Sequence, residues 1–182
     1  MRRHWFPKPY ADTVARLRVP FGFLLIAAFL FLSRPDARSL AWGLPVSVLG
    51  LWIRGWAAGH LAKNERLATS GPYAHLRNPL YVGTLLVAAG FAVASRSRLL
   101  PAVFAAVFLF VYLPVIELEE QHLRKLFAGY AAYAGRVPLL WPRWITESGS
   151  QRFRWDLYFR NQEYQALAAF LIGVAFLAWR VG

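Results

Sequence analysis

The sequence has no cysteine among its 182 residues. That excludes disulfides, thiolate metal sites and a cysteine nucleophile. Charge is also scarce: 16% of residues are Asp, Glu, Lys or Arg, against about 25% in an ordinary soluble domain. Acid is scarcer still, with nine Asp and Glu against 21 Lys and Arg. No repeat and no low-complexity tract interrupts the chain. No signal peptide is expected, because the start MRRHWFPKPYADTVARLRVP stays polar too long and no small-residue cleavage motif follows the first apolar block.

Apolar residues are what the chain has in abundance: 58% are hydrophobic and 16% aromatic, and mean hydropathy is +0.36. They gather into five blocks, at 19–33, 39–62, 79–95, 99–116 and 164–179. A membrane crossing needs about 20 apolar residues, within a range near 17–25. In lipid the backbone must satisfy its own hydrogen bonds, so each block is expected as a helix. The expectation is a single all-α integral membrane domain of about five spans.

The net charge of +12 does not read as a nucleic-acid face, since the basic residues flank the apolar blocks. They serve anchoring and topology instead. The N-terminus, 61–78 and 117–163 carry fifteen Lys and Arg, whereas the opposite ends of the blocks carry five. The positive-inside rule then places the N-terminus and both long segments in the cytoplasm, in an inner or plasma membrane. A helix over 117–134 is expected to run on from the fourth block. Its stripe Leu123, Leu126, Phe127, Tyr130 and Tyr133 suits the membrane surface or a fold back over the bundle. Segment 141–163 mixes Arg with aromatics and reads as interfacial.

Several polar groups need a reason. Arg54 sits inside the second block, where a charge at the bilayer centre costs about 2.5–3.5 kcal/mol; a carboxylate, a carbonyl or a ligand is its expected partner. His60 follows near the same block's end. In SGPYAHLRNPLYVG (70–83), Gly71-Pro72 marks a turn and Pro79 suits a helix's first turn. Asn78 falls at the N-cap, where its side chain can accept a helix N–H. Arg77 beside a positive helix end is locally unfavourable, and an anionic ligand would resolve the conflict. Gly83 and Gly90 lie on one face and permit close approach. In IELEEQHLRKLF (116–127), Glu120 and Arg124 have the i,i+4 spacing of a surface pair. Glu119 heads the apolar stripe and should face inward, where it wants a cation. Arg54, Arg77, Arg136 and a bound cation are the candidates.

Three stretches in order, SGPYAHLRNPLYVG (70–83), ELEEQHL (117–123) and YAAYAGRVPLLWP (130–142), resemble the isoprenylcysteine carboxyl methyltransferases and the related phospholipid N-methyltransferases. With GLWIRGWAAGHL upstream, the resemblance covers about residues 49–142; the last block, 164–179, is an extra helix. It implies S-adenosylmethionine held at the cytoplasmic end of the bundle, without a Rossmann domain, and no GxGxxG follows a strand here. By resemblance His60, Arg77, Asn78, Pro79, Tyr81, Gly83, Glu119 and Glu120 line the cofactor site, and no metal is called for. Glu119 and Arg136 are the implied catalytic pair, Arg136 on the acceptor side. Asn78 stands where the family usually has His; it can donate a hydrogen bond to a carboxylate but cannot titrate.

The implied acceptor is a lipid-like or isoprenoid-bearing molecule entering from the membrane. A phospholipid amine is one alternative, and a non-catalytic membrane scaffold on the same fold is another. The acceptor atom and the oligomeric state stay open.

Overall fold

A computed structural model describes residues 5–143 and 151–182. Residues 144–150 of the expected interfacial segment lie outside the described residues, as do residues 1–4 with Arg2 and Arg3.

Helix α1 (Lys8–Leu32) leads to α2 (Ala37–Ala58) through a short link. The link is fixed by a capping box: Asp36 accepts the Ser39 amide at 2.7 Å, and Ser39 Oγ accepts the Asp36 amide at 3.0 Å. That amide bond is the main cause holding the Asp36 carboxyl below its ordinary range, and nearby Arg96 adds to it.

A single 3-10 turn (Gly71–Ala74) precedes α3 (Pro79–Ala94). α2 and α3 run antiparallel in very close contact. Gly43, Ser47 and Gly50 recur on one face of α2, opposite Gly83, Val87 and Gly90 of α3. A Cβ on Gly50 would lie 2.6 Å from the Gly83 carbonyl oxygen, and one on Gly83 2.7 Å from that of Gly50. Ser47 Oγ donates to the Val87 carbonyl at 3.0 Å and Ser39 Oγ to that of Ala94 at 2.9 Å. Small residues with hydroxyl cross-bonds are how helices pack tightly in lipid.

Helices α4 (Leu100–Val107) and α5 (Leu113–Leu126) form one rod joined by a π turn (Phe108–Tyr112). The local cause is Pro114, which has no N–H for the carbonyl of Phe110. The Leu113 amide reaches back to Phe108 instead, and the Tyr10 hydroxyl of α1 donates to the freed Phe110 oxygen at 2.6 Å. Tyr10→Phe should therefore cost about 1 kcal/mol of unfolding free energy in detergent, the net worth of a typical hydrogen bond.

The expected continuous helix 117–134 is corrected. The chain turns extended at Phe127 (φ −123°, ψ 113°), and α6 (Tyr130–Arg136) starts afresh after Gly129. The turn keeps most of the stripe on one cluster: Tyr130, Tyr133 and Val137 are buried against Leu67, Leu123 and Phe127, whereas Leu126 is exposed. A straight helix would swing Tyr133 away from the Tyr73 carbonyl, to which it donates at 2.7 Å.

The two long segments meet at one end of the bundle. The Arg77 amide donates to Pro138 at 2.9 Å and the Arg143 amide to His75 at 3.0 Å. Asn161, between α7 (Trp155–Arg160) and α8 (Tyr164–Val181), ties to the carbonyls of Ala58 and Leu61.

Among the described residues three helical stretches are long and apolar enough to cross a membrane: Lys8–Leu32, Leu100–Leu126 and Tyr164–Val181. α3 is apolar but has 16 residues, and α2 carries Arg54 and Arg38. The expected five blocks are thus all helical, but three of them have the length and composition of a span.

Candidate functional site

A cavity of about 920 Å³ opens where α1, the α2–α3 link, the start of α3, α5 and α6 converge. Arg77, Asn78, Pro79, Tyr81 and Glu119 line it, so five of the residues read from sequence share one wall system.

Arg77 is held from behind. Its side chain is 10% exposed, and Nη1 lies 2.7 Å from Glu120 Oε1. That ion pair lacks hydrogen-bond geometry, and Nε and Nη1 have no hydrogen-bond partner. Tyr130 donates to the same Glu120 oxygen at 2.9 Å. Glu120 therefore backs Arg77 and does not itself line the cavity. The surface pairing of Glu120 with Arg124 is replaced: Arg124 lies over the Tyr130 ring, 5.3 Å from its centroid.

Asn78 occupies the N-cap as expected, but its side chain caps nothing. Its Nδ2 donates to the Leu139 carbonyl at 3.4 Å instead. Pro79 contributes no N–H, so the start of α3 presents a positive end without a side-chain cap beside Arg77.

Glu119 faces the cavity, as its place at the head of the stripe implied. Tyr81 donates to Glu119 Oε1 at 2.9 Å. None of the three arginine candidates pairs with it. Arg54 gives Nε and Nη2 to Glu163 at 2.6 and 2.9 Å, and Nη1 to Thr84 and the Leu80 carbonyl. Arg77 belongs to Glu120, and Arg136 is exposed at the end of α6. Among the described residues Glu119 has no cation.

Besides Glu120, three residues read as site members lie elsewhere. His60 is buried; its Nδ1–H donates to the Trp56 carbonyl at 3.0 Å. Its Nε2 would sit 2.7 Å from a Cβ at Gly71 (φ +58°), so it is a floor for the turn. Gly83 packs on Gly50 and Arg54 of α2. Arg136 is outside the cavity lining, and the segment just after it acts through backbone: Pro138 and Leu139 hold Arg77 and Asn78.

Other lining residues were not singled out for the site by sequence. Tyr112, exposed to the cavity by the π turn, packs edge-on to Tyr81 with centroids 6.0 Å apart. Tyr73, Tyr130 and Tyr133 also line it. Burial pushes all three phenols well above their ordinary value, so at neutral pH they are donors and not bases. Tyr-x-x-Tyr was a visible signal for the last two.

Residues 41–129 match the family model of the phospholipid methyltransferases. Over that core, just under half of the chain, the protein is similar to the phospholipid methyltransferases. The chain is also 38% identical over 102 residues to the cobalt-zinc-cadmium resistance protein CzcN of Cupriavidus metallidurans, covering 56% of this chain and 46% of that protein. It is 33% identical over 102 residues to the nickel-cobalt-cadmium resistance protein NccN of Alcaligenes xylosoxydans xylosoxydans, covering 56% of this chain and 47% of that protein. The matched region spans about half the length of these curated relatives. No solved structure matches. Among the described residues no three His, Cys, Asp or Glu converge as a metal site would need.

Proposed function

We propose that this phospholipid methyltransferase-like protein is an S-adenosylmethionine-dependent membrane methyltransferase acting on a lipid-like or isoprenoid-bearing acceptor. The observation that carries the reading is a complementary pair in one cavity: a cation with unmet hydrogen bonds and a carboxylate with no cation. Arg77 offers buried N–H groups without hydrogen-bond partners, and Glu119 offers a carboxylate without a cation.

The cofactor's methionyl end bears a carboxylate, an ammonium and a sulfonium, and it supplies an activated methyl group when bound. The residues fit it. Arg77 and the uncapped start of α3 suit the carboxylate. Glu119, oriented by Tyr81, suits the cationic groups. The cavity, about 920 Å³, falls at the upper end of the ~300–1,000 Å³ range of small-molecule sites and leaves room for an acceptor. These residues bind and orient; positioning of this kind supplies much of the rate in a two-reactant displacement. Arg136 is a poor candidate for orienting the acceptor, because it is exposed and off the cavity wall.

In this reading the α2–α3 pair crosses beside the three longer helices, completing five spans. The fifteen-to-five excess of basic residues favours the cytoplasmic side of an inner or plasma membrane for the cavity.

Purified protein in detergent should bind labelled S-adenosylmethionine. Arg77→Ala and Glu119→Gln should each weaken it tenfold or more, since a hydrogen bond to a charged group is worth about 1.5–3 kcal/mol. Unchanged affinity in both variants would remove the site assignment. Failure of the wild type to bind would favour a non-catalytic role on the same fold. Incubation with labelled cofactor and a lipid extract then identifies the methylated product.

A further inference from the structure

Helix α1 is held differently at its two ends. At the far end the Arg34 amide donates to the Ser95 carbonyl and Arg180 Nη2 to that of Ser33, both at 2.8 Å. There the Phe29 ring also packs on Phe91 and Phe176, with centroids 5.4 and 5.8 Å away. The cavity end buries two small apolar side chains, Ala11 and Val14, and is tied by a carboxylate clip. Glu117 of α5 accepts the Trp5 amide on Oε1 at 2.9 Å and the Phe6 amide on Oε2 at 3.1 Å. Both amides lie ahead of the first helical turn, so no carbonyl of α1 can take them. A carboxylate placed there also faces the positive end of the helix. The Phe6 ring stacks on Tyr10, whose hydroxyl donates to Phe110 at 2.6 Å, so the clip and the π turn brace the same stretch.

Between these anchors the helix loses support of its own. Pro20 lies inside α1 and has no N–H for the Arg16 carbonyl. Two residues on, a Cβ at Gly22 would meet nothing within 4 Å. Proline and glycine are the usual places where a helix bends. The residues of α1 that line the cavity are Ala15, Arg16, Arg18 and Val19. All four fall between this weak point and the clip. One wall of the cavity is thus a segment hinged at one end and latched at the other.

We propose that the half of α1 from Lys8 to Val19 is a gate on the cavity, turning about Pro20 and Gly22 and latched by Glu117. Glu117 is a positioning residue: it does not line the cavity and acts through the main chain of Trp5 and Phe6. Because α1 lies outside the family match at 41–129, the matched core carries the latch but not the moving part. Ligand exchange through the opening rests on the methyltransferase reading for its probe, S-adenosylmethionine; the opening itself does not.

The absence of native cysteine makes the gate open to a clean test on the full chain in detergent. Val115 lines the cavity and is 4% exposed. Val115→Cys, close in volume, reports opening by its rate of modification with a charged methanethiosulfonate reagent. Where closing outpaces modification, that rate follows the fraction open. Glu117→Gln leaves one neutral acceptor in place of two charged ones, so modification should accelerate about tenfold or more. The midpoint of denaturant unfolding should hardly move. Gly22→Ala stiffens the hinge and should slow modification about two- to fivefold. Separately, with Val115 intact, Phe6→Cys and Glu117→Cys are bridged by a short reducible cross-linker. The bridge should slow release of bound labelled S-adenosylmethionine, and reductant should restore it. A modification rate unmoved by Glu117→Gln overturns the proposal. So does an acceleration matched by an equal loss of unfolding free energy, which reduces Glu117 to a structural tie. Faster modification in Gly22→Ala overturns the hinge. Release indifferent to the bridge overturns the gate as the route of exchange. A wild type that binds no cofactor removes the methyltransferase reading, and the modification rates alone then decide whether α1 opens.

Discussion

Gly90→Ala should lower unfolding free energy by about 3 kcal/mol, the upper part of the range for overpacking a closely fitted core. Gly22→Ala should raise it by about 0.5–1 kcal/mol, the helix-interior gain of Ala over Gly. The chemical change is the same; the surroundings set the sign. A Cβ on Gly90 would come within 2.5 Å of the Gly43 carbonyl oxygen and the Ser47 amide. Both are backbone atoms, so neither can rotate aside, and α2 must move off α3. A Cβ on Gly22 meets nothing within 4 Å. Denaturant unfolding in detergent, followed by circular dichroism, measures both. Equal effects at the two glycines would mean that the seam is looser than these contacts require. Because α2 carries Arg54 and α3 starts just after Asn78, opening the seam should also weaken cofactor binding in Gly90→Ala.

How much of this could be read in the sequence depended on how local the signal was. The α3 start was legible because Gly-Pro, Asn and Pro act within a few residues, and the Gly83/Gly90 spacing announced a close helix face. Glu119 was legible because helical periodicity fixes which side a residue takes. The break at Phe127 was not, since its cause is the distant Tyr73 carbonyl that Tyr133 reaches. Partners across long separations were equally hidden: Glu163 lies 109 positions from Arg54, and spacing alone could not choose it over Glu119. His60 and Arg136 were placed at the site through the family pattern. In the fold, one supports a turn and the other stands off the cavity wall. The arginines of α1 were counted for topology alone, because nothing within the sequence of a helix tells what stands opposite it.

Arg54→Met alone should cost about 3–5 kcal/mol, the usual consequence of stranding one member of a buried ion pair. Glu163→Leu should cost less. The side chain of Glu163 is 6% exposed and that of Arg54 23%, so the lone carboxylate has little access to water while the lone guanidinium has some. Arg54 also keeps Thr84 and the Leu80 carbonyl as acceptors after Glu163 is lost. The double variant, with both charges replaced by apolar groups of similar reach, should recover most of the loss, because neither desolvation penalty remains. A double-mutant cycle by unfolding in detergent gives the coupling. Additive losses would show that the pair is not what ties the start of α8 to α2. The same double variant decides what Arg54 does for the cavity it lines. If its charge serves only to hold Glu163, cofactor affinity returns with stability; if affinity stays low in a refolded double variant, the guanidinium itself faces the ligand.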